Sequence, residues 1–274
     1  MKIDTVAKQF RLSCRSEVHN TQTAGQAAGY AQANLVILPT EVVNDFKDFC
    51  FRNPVPCPLL AYTEGNPNKV NNIKVIDDDY GNFDIRTDLP KYNIYENGKL
   101  IKTKSNILEE WDSDRYVGFL IGCSFSFEYE LAKNGLTPKH ILLNTNVSIY
   151  KTTLLLNPAG VFVNCKYVVS MRPYKEKDLD KVREITRLFK VTHGEPIDWG
   201  FDAVKRLGIN DLNSPDYGSF VEMEPDEIPV FWACGVTPQL AIETVGEKID
   251  GIVMTHTPGH MLILDITDEE VVNL

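Results

Sequence analysis

The sequence predicts an α/β protein of two subdomains: a larger mixed-sheet α/β unit with a smaller α+β two-layer unit inserted. Three observations carry this. The stretches 119–128 and 230–239 are copies of one device, in which four apolar residues precede a cysteine (Cys123, Cys234). A small residue follows, Ser124 or Gly235, and then Ser126 or Thr237 in the position of a helix cap. Each copy reads as a buried strand, a tight turn carrying a thiol, and a helix start. A third strand-turn-helix unit occupies 34–49, and alternation of this kind belongs to α/β domains. After Pro138 the texture changes to β-rich runs with one charged helix, which predicts the inserted unit over 141–214 and the main unit over 1–140 and 215–274.

In chain order, 5–18 carries Val6, Phe10 and Leu12 among charges and predicts a short surface helix. Residues 19–30 are rich in Gly, Ala, Thr and Gln and read as a loop whose small residues admit close backbone approach. The run 34–38 is a buried strand. Pro39, Thr40 and Glu41 open a helix with Val42, Val43, Phe46 and Phe49 on one face. Prolines at 54, 56 and 58 stop it, and 59–63 resumes a strand. The stretch 65–81 is polar and loop-like, and 83–90 is an extended segment ended by Pro90. Asn97-Gly98 centres a hairpin over 92–101. The helix after the first cysteine turn closes at Gly135. Runs 141–150, 152–156 and 161–171 read as strands and 177–189 as a helix. The stretch 221–232 then returns to the main sheet, and short strands follow over 251–254 and 262–266.

Composition narrows the function classes. Of 274 residues 43% are hydrophobic and 24% charged, ordinary for a globular protein with a sizeable core. A net charge of −10 argues against nucleic acid or an anionic membrane as partner, leaving a small acidic molecule held by local arginines and helix ends. The six cysteines form no Cys-x-x-Cys pair and do not match zinc spacing. Without an apolar leader, free thiols in a reducing cytoplasm are expected. The longest mostly apolar run, 116–127, is too short to span a bilayer. A homodimer is the expected assembly.

Several residues carry candidate chemistry. The first N–H groups of a helix lack internal partners and lie at the positive end of its dipole. Two cysteine turns on neighbouring strands would therefore cradle an acidic molecule between their helix ends, with Ser124, Ser126, Thr237, Gln239 and Asn34 at hand. A helix N-terminus also lowers a thiol pKa, which makes Cys123 and Cys234 candidate nucleophiles; the plainer reading is two buried, inert thiols. His256 and His260 sit in a Pro-Gly turn and are candidates for proton transfer or substrate binding, against the alternatives of structural turn histidines and of a metal pair, which Pro258 and Gly259 disfavour by excluding a helix. Asp84, Arg86 and Asp88 alternate, so an extended backbone would put all three on one face. That face is either a solvated ion ladder or an arginine clamp for a carboxylate. Arg172, at the end of a strand, is a second clamp, and Glu128 is either an acid catalyst or a carboxylate favouring a helix start.

Seven strings in order resemble the D-glutamate cyclase family. They are Gln32-Ala-Asn-Leu-Val-Ile-Leu-Pro39, Arg52-Asn-Pro-Val-Pro-Cys-Pro58, Asp84-Ile-Arg-Thr-Asp-Leu-Pro90, Gly122-Cys-Ser-Phe-Ser-Phe-Glu128, Val168-Val-Ser-Met-Arg-Pro173, Phe231-Trp-Ala-Cys-Gly-Val-Thr-Pro-Gln239 and His256-Thr-Pro-Gly-His260. The resemblance spans about residues 11 to 265. In one loop, 193–200, Asp198 stands where many members carry a histidine, and Phe201 where Asp-Pro is common, a departure that would bear on substrate choice.

The resemblance implies an α/β hydro-lyase of two subdomains that cyclises D-glutamate to 5-oxo-D-proline, with no organic cofactor. Mg²⁺ or Mn²⁺ is compatible with such chemistry, but nothing in the sequence calls for a metal. For that reaction Arg86 and the two turns would hold carboxylates, with Arg172 as the second clamp and Asp88 among the residues that contact substrate. His256, His260, Asp84 and Glu128 would move protons, with Cys123 and Cys234 beside them. Two other functions fit the same residues: a dehydratase or hydratase of a different hydroxy or amino acid, and a non-catalytic binder of small acids.

Overall fold

A computed structural model describes residues 5–73 and 83–274. The last part of the polar stretch expected as a loop over 65–81 therefore lies outside the described residues. The chain opens with α1 (Val6–Arg15), β1 (Tyr30–Pro39), a 3-10 turn Thr40–Val42 leading into α2 (Val43–Arg52), and β2 (Leu59–Tyr62). The hairpin β3 (Tyr92–Glu96) and β4 (Lys99–Lys104) precedes β5 (Tyr116–Gly122), the turn Ser124–Phe127 and α3 (Glu128–Lys133). Next come α4 (Lys139–Leu142), β6 (Ser148–Leu155), β7 (Lys166–Lys175), α5 (Leu179–Thr186), β8 (Asp198–Trp199) and α6 (Phe201–Leu207). The chain then runs through β9 (Glu227–Ala233), α7 (Thr237–Val245), β10 (Ile252–His256), β11 (Leu262–Thr267) and α8 (Asp268–Val271).

The fold is α/β and built on two sheets. The larger has the order β2-β5-β1-β10-β3-β4, with β11 also paired to β1. The smaller has the order β6-β7-β9-β8. Every pairing between these strands is antiparallel, so the mixed sheet expected from strand-turn-helix alternation is corrected. The helices after β1, β5 and β9 do not return to a parallel neighbour; they cover sheet faces.

That covering explains the unbroken apolar run of β1. One face of the main sheet, with Ala33, Leu35, Ile37, Leu120 and Met254, packs on Phe127 and Leu131, on Val182 of α5 and on Trp232 of the smaller sheet. The other face, with Val36, Leu38, Phe119 and Ile121, packs on Phe46 and Phe49 of α2 and on Ala241, Ile242 and Val245 of α7. A strand buried on both faces reads as continuous hydrophobicity rather than alternation. Each buried Leu, Ile or Phe contributes roughly 1.5–3 kcal/mol.

Several expected elements change place. The strand expected to rejoin the main sheet over 221–232 is β9, which lies inside the smaller sheet with Ser170 opposite Trp232. The start of the run read as strand over 141–150 is the helical turn α4, and 152–156 merges into β6. Helix α1 is not a surface helix. Arg11 is fully buried, its Nη2 2.7 Å from Asp265 Oδ2, while Arg15 Nη2 lies 2.7 Å from Asp88 Oδ1. No helix among the described residues is long and apolar enough to cross a membrane.

Candidate active site

The two cysteine turns belong to different sheets, β5 to the larger and β9 to the smaller, not to neighbouring strands as expected. They nevertheless meet. Cys123, Ser124, Cys234 and Gly235 line one narrow crevice of about 20 Å³ at the junction of the sheets, with Asn34 and Asn146. Two glycines allow the approach. A Cβ on Gly122 would lie 1.9 Å from the Val191 carbonyl oxygen, and one on Gly235 would lie 1.8 Å from Asn34 Nδ2. Asn34 is held by its own amide, which donates to the carbonyls of Ile121 at 3.3 Å and Gly122 at 2.9 Å.

Each turn satisfies one of its own amides with its own sulfur. The Phe125 N–H donates to Cys123 Sγ at 3.4 Å, and the Val236 N–H does the same for Cys234. Burial nevertheless pushes both thiols up, that of Cys234 to about 11 and that of Cys123 further. The expected lowering by a helix N-terminus is corrected: desolvation of a thiolate outweighs the helix end, and both sulfurs rest as neutral S–H groups. The capping hydroxyls are corrected too. Ser126 Oγ accepts from Gln32 N at 3.0 Å and Thr237 Oγ1 from Val168 N at 3.2 Å. They pin the turns to strands instead of closing helices.

Behind Ser124 lies a buried ionic cluster. Arg172 is not at a strand end but within β7, fully buried, its guanidinium over the rings of Phe127 and Trp232 at 5.2 Å each. Its Nε donates to Glu128 Oε1 at 2.9 Å, its Nη1 to Ser170 Oγ at 3.0 Å and its Nη2 to Ser124 Oγ at 2.9 Å. His140 Nε2 lies 3.0 Å from the same Glu128 oxygen. Burial alone would raise the Glu128 pKa, but His140 and Arg172 together hold the carboxyl below its usual range. Because Ser124 accepts from Arg172, its own hydroxyl hydrogen is available to the crevice.

The remaining candidates stand elsewhere. Residues 85–90 form a turn, not an extended segment, so Asp84, Arg86 and Asp88 do not share a face. Asp84 takes Arg86 bidentately, with 2.9 Å to Nε and 2.7 Å to Nη2, which occupies the expected clamp. Asp88 faces Arg15 and Arg11 of α1. His256 is fully buried at the end of β10; its Nδ1 accepts from Leu35 N at 3.2 Å and lies 3.1 Å from Gln239 Nε2. Burial lowers its pKa to about 4. Gln239 Nε2 also donates to the His256 carbonyl at 2.6 Å, so Gln239 ties α7 to β10. His260 Nδ1 lies 3.1 Å from the Pro258 carbonyl. Asp198 is paired with Arg206 on the surface and does not line the crevice. Its loop still reaches the site from behind, since the stretch before His193 packs on Gly122. His140 and Asn146 escaped the sequence analysis, because neither stands in a strand-turn-helix copy or beside another candidate, and Ser170 was passed over although it stands two residues before Arg172.

The model of the family described as D-glutamate cyclase matches residues 117–265, which hold both turns and the cluster. "Putative hydro-lyase YcsI" of Bacillus subtilis is 47% identical over 96% of this chain and 97% of its own. "Putative hydro-lyase GK2103" of Geobacillus kaustophilus is 44% identical over 96% and 95%, and "Putative hydro-lyase C5H10.01" of Schizosaccharomyces pombe 43% over 94% and 84%. The chain belongs to the D-glutamate cyclase family. Membership places it among enzymes named as hydro-lyases. The family's match covers the crevice lining except Asn34, whereas the Asp84–Arg86 turn lies before it.

Proposed function

We propose that the protein is a hydro-lyase acting on a small acidic substrate, and that it cyclises D-glutamate to 5-oxo-D-proline at the crevice between the cysteine turns. The observation that carries this reading is the convergence of two neutral thiols and the Ser124 hydroxyl on one narrow crevice, which has to widen around a substrate, with Ser124 held by the Arg172–Glu128–His140 cluster. The α-carboxylate is assigned to the turn at the N-terminal end of α7, with the Asn146 amide beside it.

The chemistry follows from the environment. A zwitterion cannot cyclise, because its ammonium has no lone pair. Apolar walls, among them Phe125, Val147, Ile149 and Met261, disfavour separated charges. They therefore favour transfer of the ammonium proton to the substrate's own γ-carboxylate. The freed amine then attacks the γ-carbon; a C–N bond forms, and the carbonyl oxygen takes negative charge. Ser124 O–H donates to that oxygen. The departing hydroxyl leaves as water after taking a proton from a thiol, which regains one from the ring nitrogen. The sum is one glutamate giving one lactam and one water. Holding both ends of the chain in one cleft contributes several kcal/mol through orientation.

The test is proton NMR of the purified protein with D-glutamate, L-glutamate and 5-oxoproline in turn, with and without added Mg²⁺ or Mn²⁺. Interconversion of one enantiomer with 5-oxoproline is the expected result. No conversion of any of the three would sink the reading and turn attention to hydroxy acids.

A further inference from the structure

A second cavity lies on the other side of the first cysteine turn, and Phe125 belongs to the walls of both. It has a volume of about 130 Å³ and lies between the small-residue loop 25–29, α3 and the start of α8. Tyr30, Tyr129, Ala132 and Ile141 give it apolar walls, and two carboxylates interrupt them. Glu128 is 2% exposed; its Oε1 serves Arg172 and His140, and its Oε2 has no hydrogen-bond partner. Asp268 is 6% exposed and lacks a partner on either oxygen. The two side chains that carry these three buried oxygens without donors both line this cavity.

Such oxygens are costly, since a buried acceptor left without a donor forfeits its hydration. The charge is unbalanced as well. Glu128 is matched by Arg172, whereas the charges acting on Asp268 are Glu130 and Lys133 of α3, with opposite senses. Burial first, then Glu130, pushes the Asp268 carboxyl up to about 7. Once it ionises, the cavity carries one unmatched negative charge and three acceptors. A primary ammonium brings one positive charge and three N–H donors. No group of three or more His, Cys, Asp or Glu side chains placed to hold a metal ion occurs among the described residues, so the donor set fits an organic cation better than a bare one.

We propose that this cavity binds a small primary alkylammonium ion, its three N–H groups meeting Glu128 Oε2 and both oxygens of Asp268, its hydrocarbon body lying along Ala132 and Ile141. The site goes beyond the cyclisation reading and does not require it. It shares Glu128 with the ionic cluster, so an occupant is linked through Arg172 to Ser124.

The experiment is calorimetric titration of the full chain with n-butylammonium chloride at pH 8. The comparisons are n-butanol, which has the same body without charge, and tetramethylammonium, which has charge without N–H donors. Saturable one-to-one binding of the primary amine, at least tenfold tighter than either comparison, is expected. At pH 6 the affinity should fall about tenfold, as Asp268 takes up its proton. The other titratable and charged groups beside the cavity are Tyr30, Tyr129 and Glu128, with Glu130 and Lys133 of α3 acting on Asp268 and His140 against Glu128, which is held ionised across this range. Asp268→Asn should weaken binding at least tenfold and remove its pH dependence. Ala132→Leu, which keeps both carboxylates and fills the cavity from α3, should weaken it to the same degree. Absence of saturable binding to the unmodified chain, equal binding of n-butanol, or unchanged binding in either folded variant would overturn the proposal.

Discussion

At the scale of single residues, burial decides which groups hold charge. Glu128 and Arg172 are each within 2% of complete burial, so each is tolerated only because of the other. Glu128→Gln keeps the shape and removes the charge, leaving the guanidinium with Ser124 and Ser170 alone. Breaking a buried pair in this way costs about 3–5 kcal/mol, which urea unfolding should register as a lowered midpoint with an unchanged slope. His193 and His256 behave oppositely: burial lowers both to about 4, so the fold keeps them neutral. The unfolded chain binds their protons from about pH 6.5 downward. Each histidine therefore costs the fold stability as pH falls from about 6.5 to 4, up to roughly 3 kcal/mol apiece. Asp88 and Asp268, raised to about 6 and 7, act in the opposite sense across part of that window. The difference curve between the unmodified chain and His256→Asn isolates one group. It should slope between pH 6.5 and 4 and be flat above; a flat difference throughout would mean that the imidazole titrates normally.

At the scale of elements, the cysteine turn is the unit that positions chemistry, and its glycine sets the distance between the sheets. Gly235→Ala would place a methyl inside the Asn34 amide, which must then leave the carbonyls of Ile121 and Gly122. Overpacking of this kind costs about 1–3 kcal/mol. A melt should show that loss, and turnover should fall by more than the melt explains, because Asn34 lines the crevice. These turns were legible in the sequence, since an apolar run, a small residue and a cap-type hydroxyl form a local signal. So were β1, α2 and the Asn97-Gly98 hairpin, each written in its own few residues. Strand direction was not, because a helix that covers a sheet face and one that leads to a parallel neighbour have the same periodicity. The place of β9 was hidden for the same reason: Val230 to Ala233 is apolar enough for either sheet. The segment after Phe83 misled, because alternating charges imply a shared face only if the backbone is extended. Of the candidate site, Cys123, Ser124, Cys234 and Asn34 were readable. His140 and Asn146 were not, as they arrive by tertiary packing from residues with no motif around them.

At the scale of the molecule, the crevice is a joint. Helix α7 leaves β9 of the smaller sheet and lies on the larger one, where Gln239 reaches Thr255 and His256 of β10. Arg172 of the smaller sheet holds Glu128 and Ser124, which follow β5 of the larger. A ligand seated between the turns touches both sheets and should stabilise them as one unit. For binding to the folded chain alone, a concentration of 100 times Kd adds about 2.7 kcal/mol. With 5-oxo-D-proline at that level, unfolding should remain a single transition, shifted upward by that amount. Amide hydrogen exchange should slow in both turns together, over 123–127 and over 234–237. Protection confined to one turn would assign the carboxylate to a single helix end and remove the other from the site. Two transitions, only one of them shifted, would mean that the sheets unfold separately, and that the buried Arg172–Glu128 pair does not couple them.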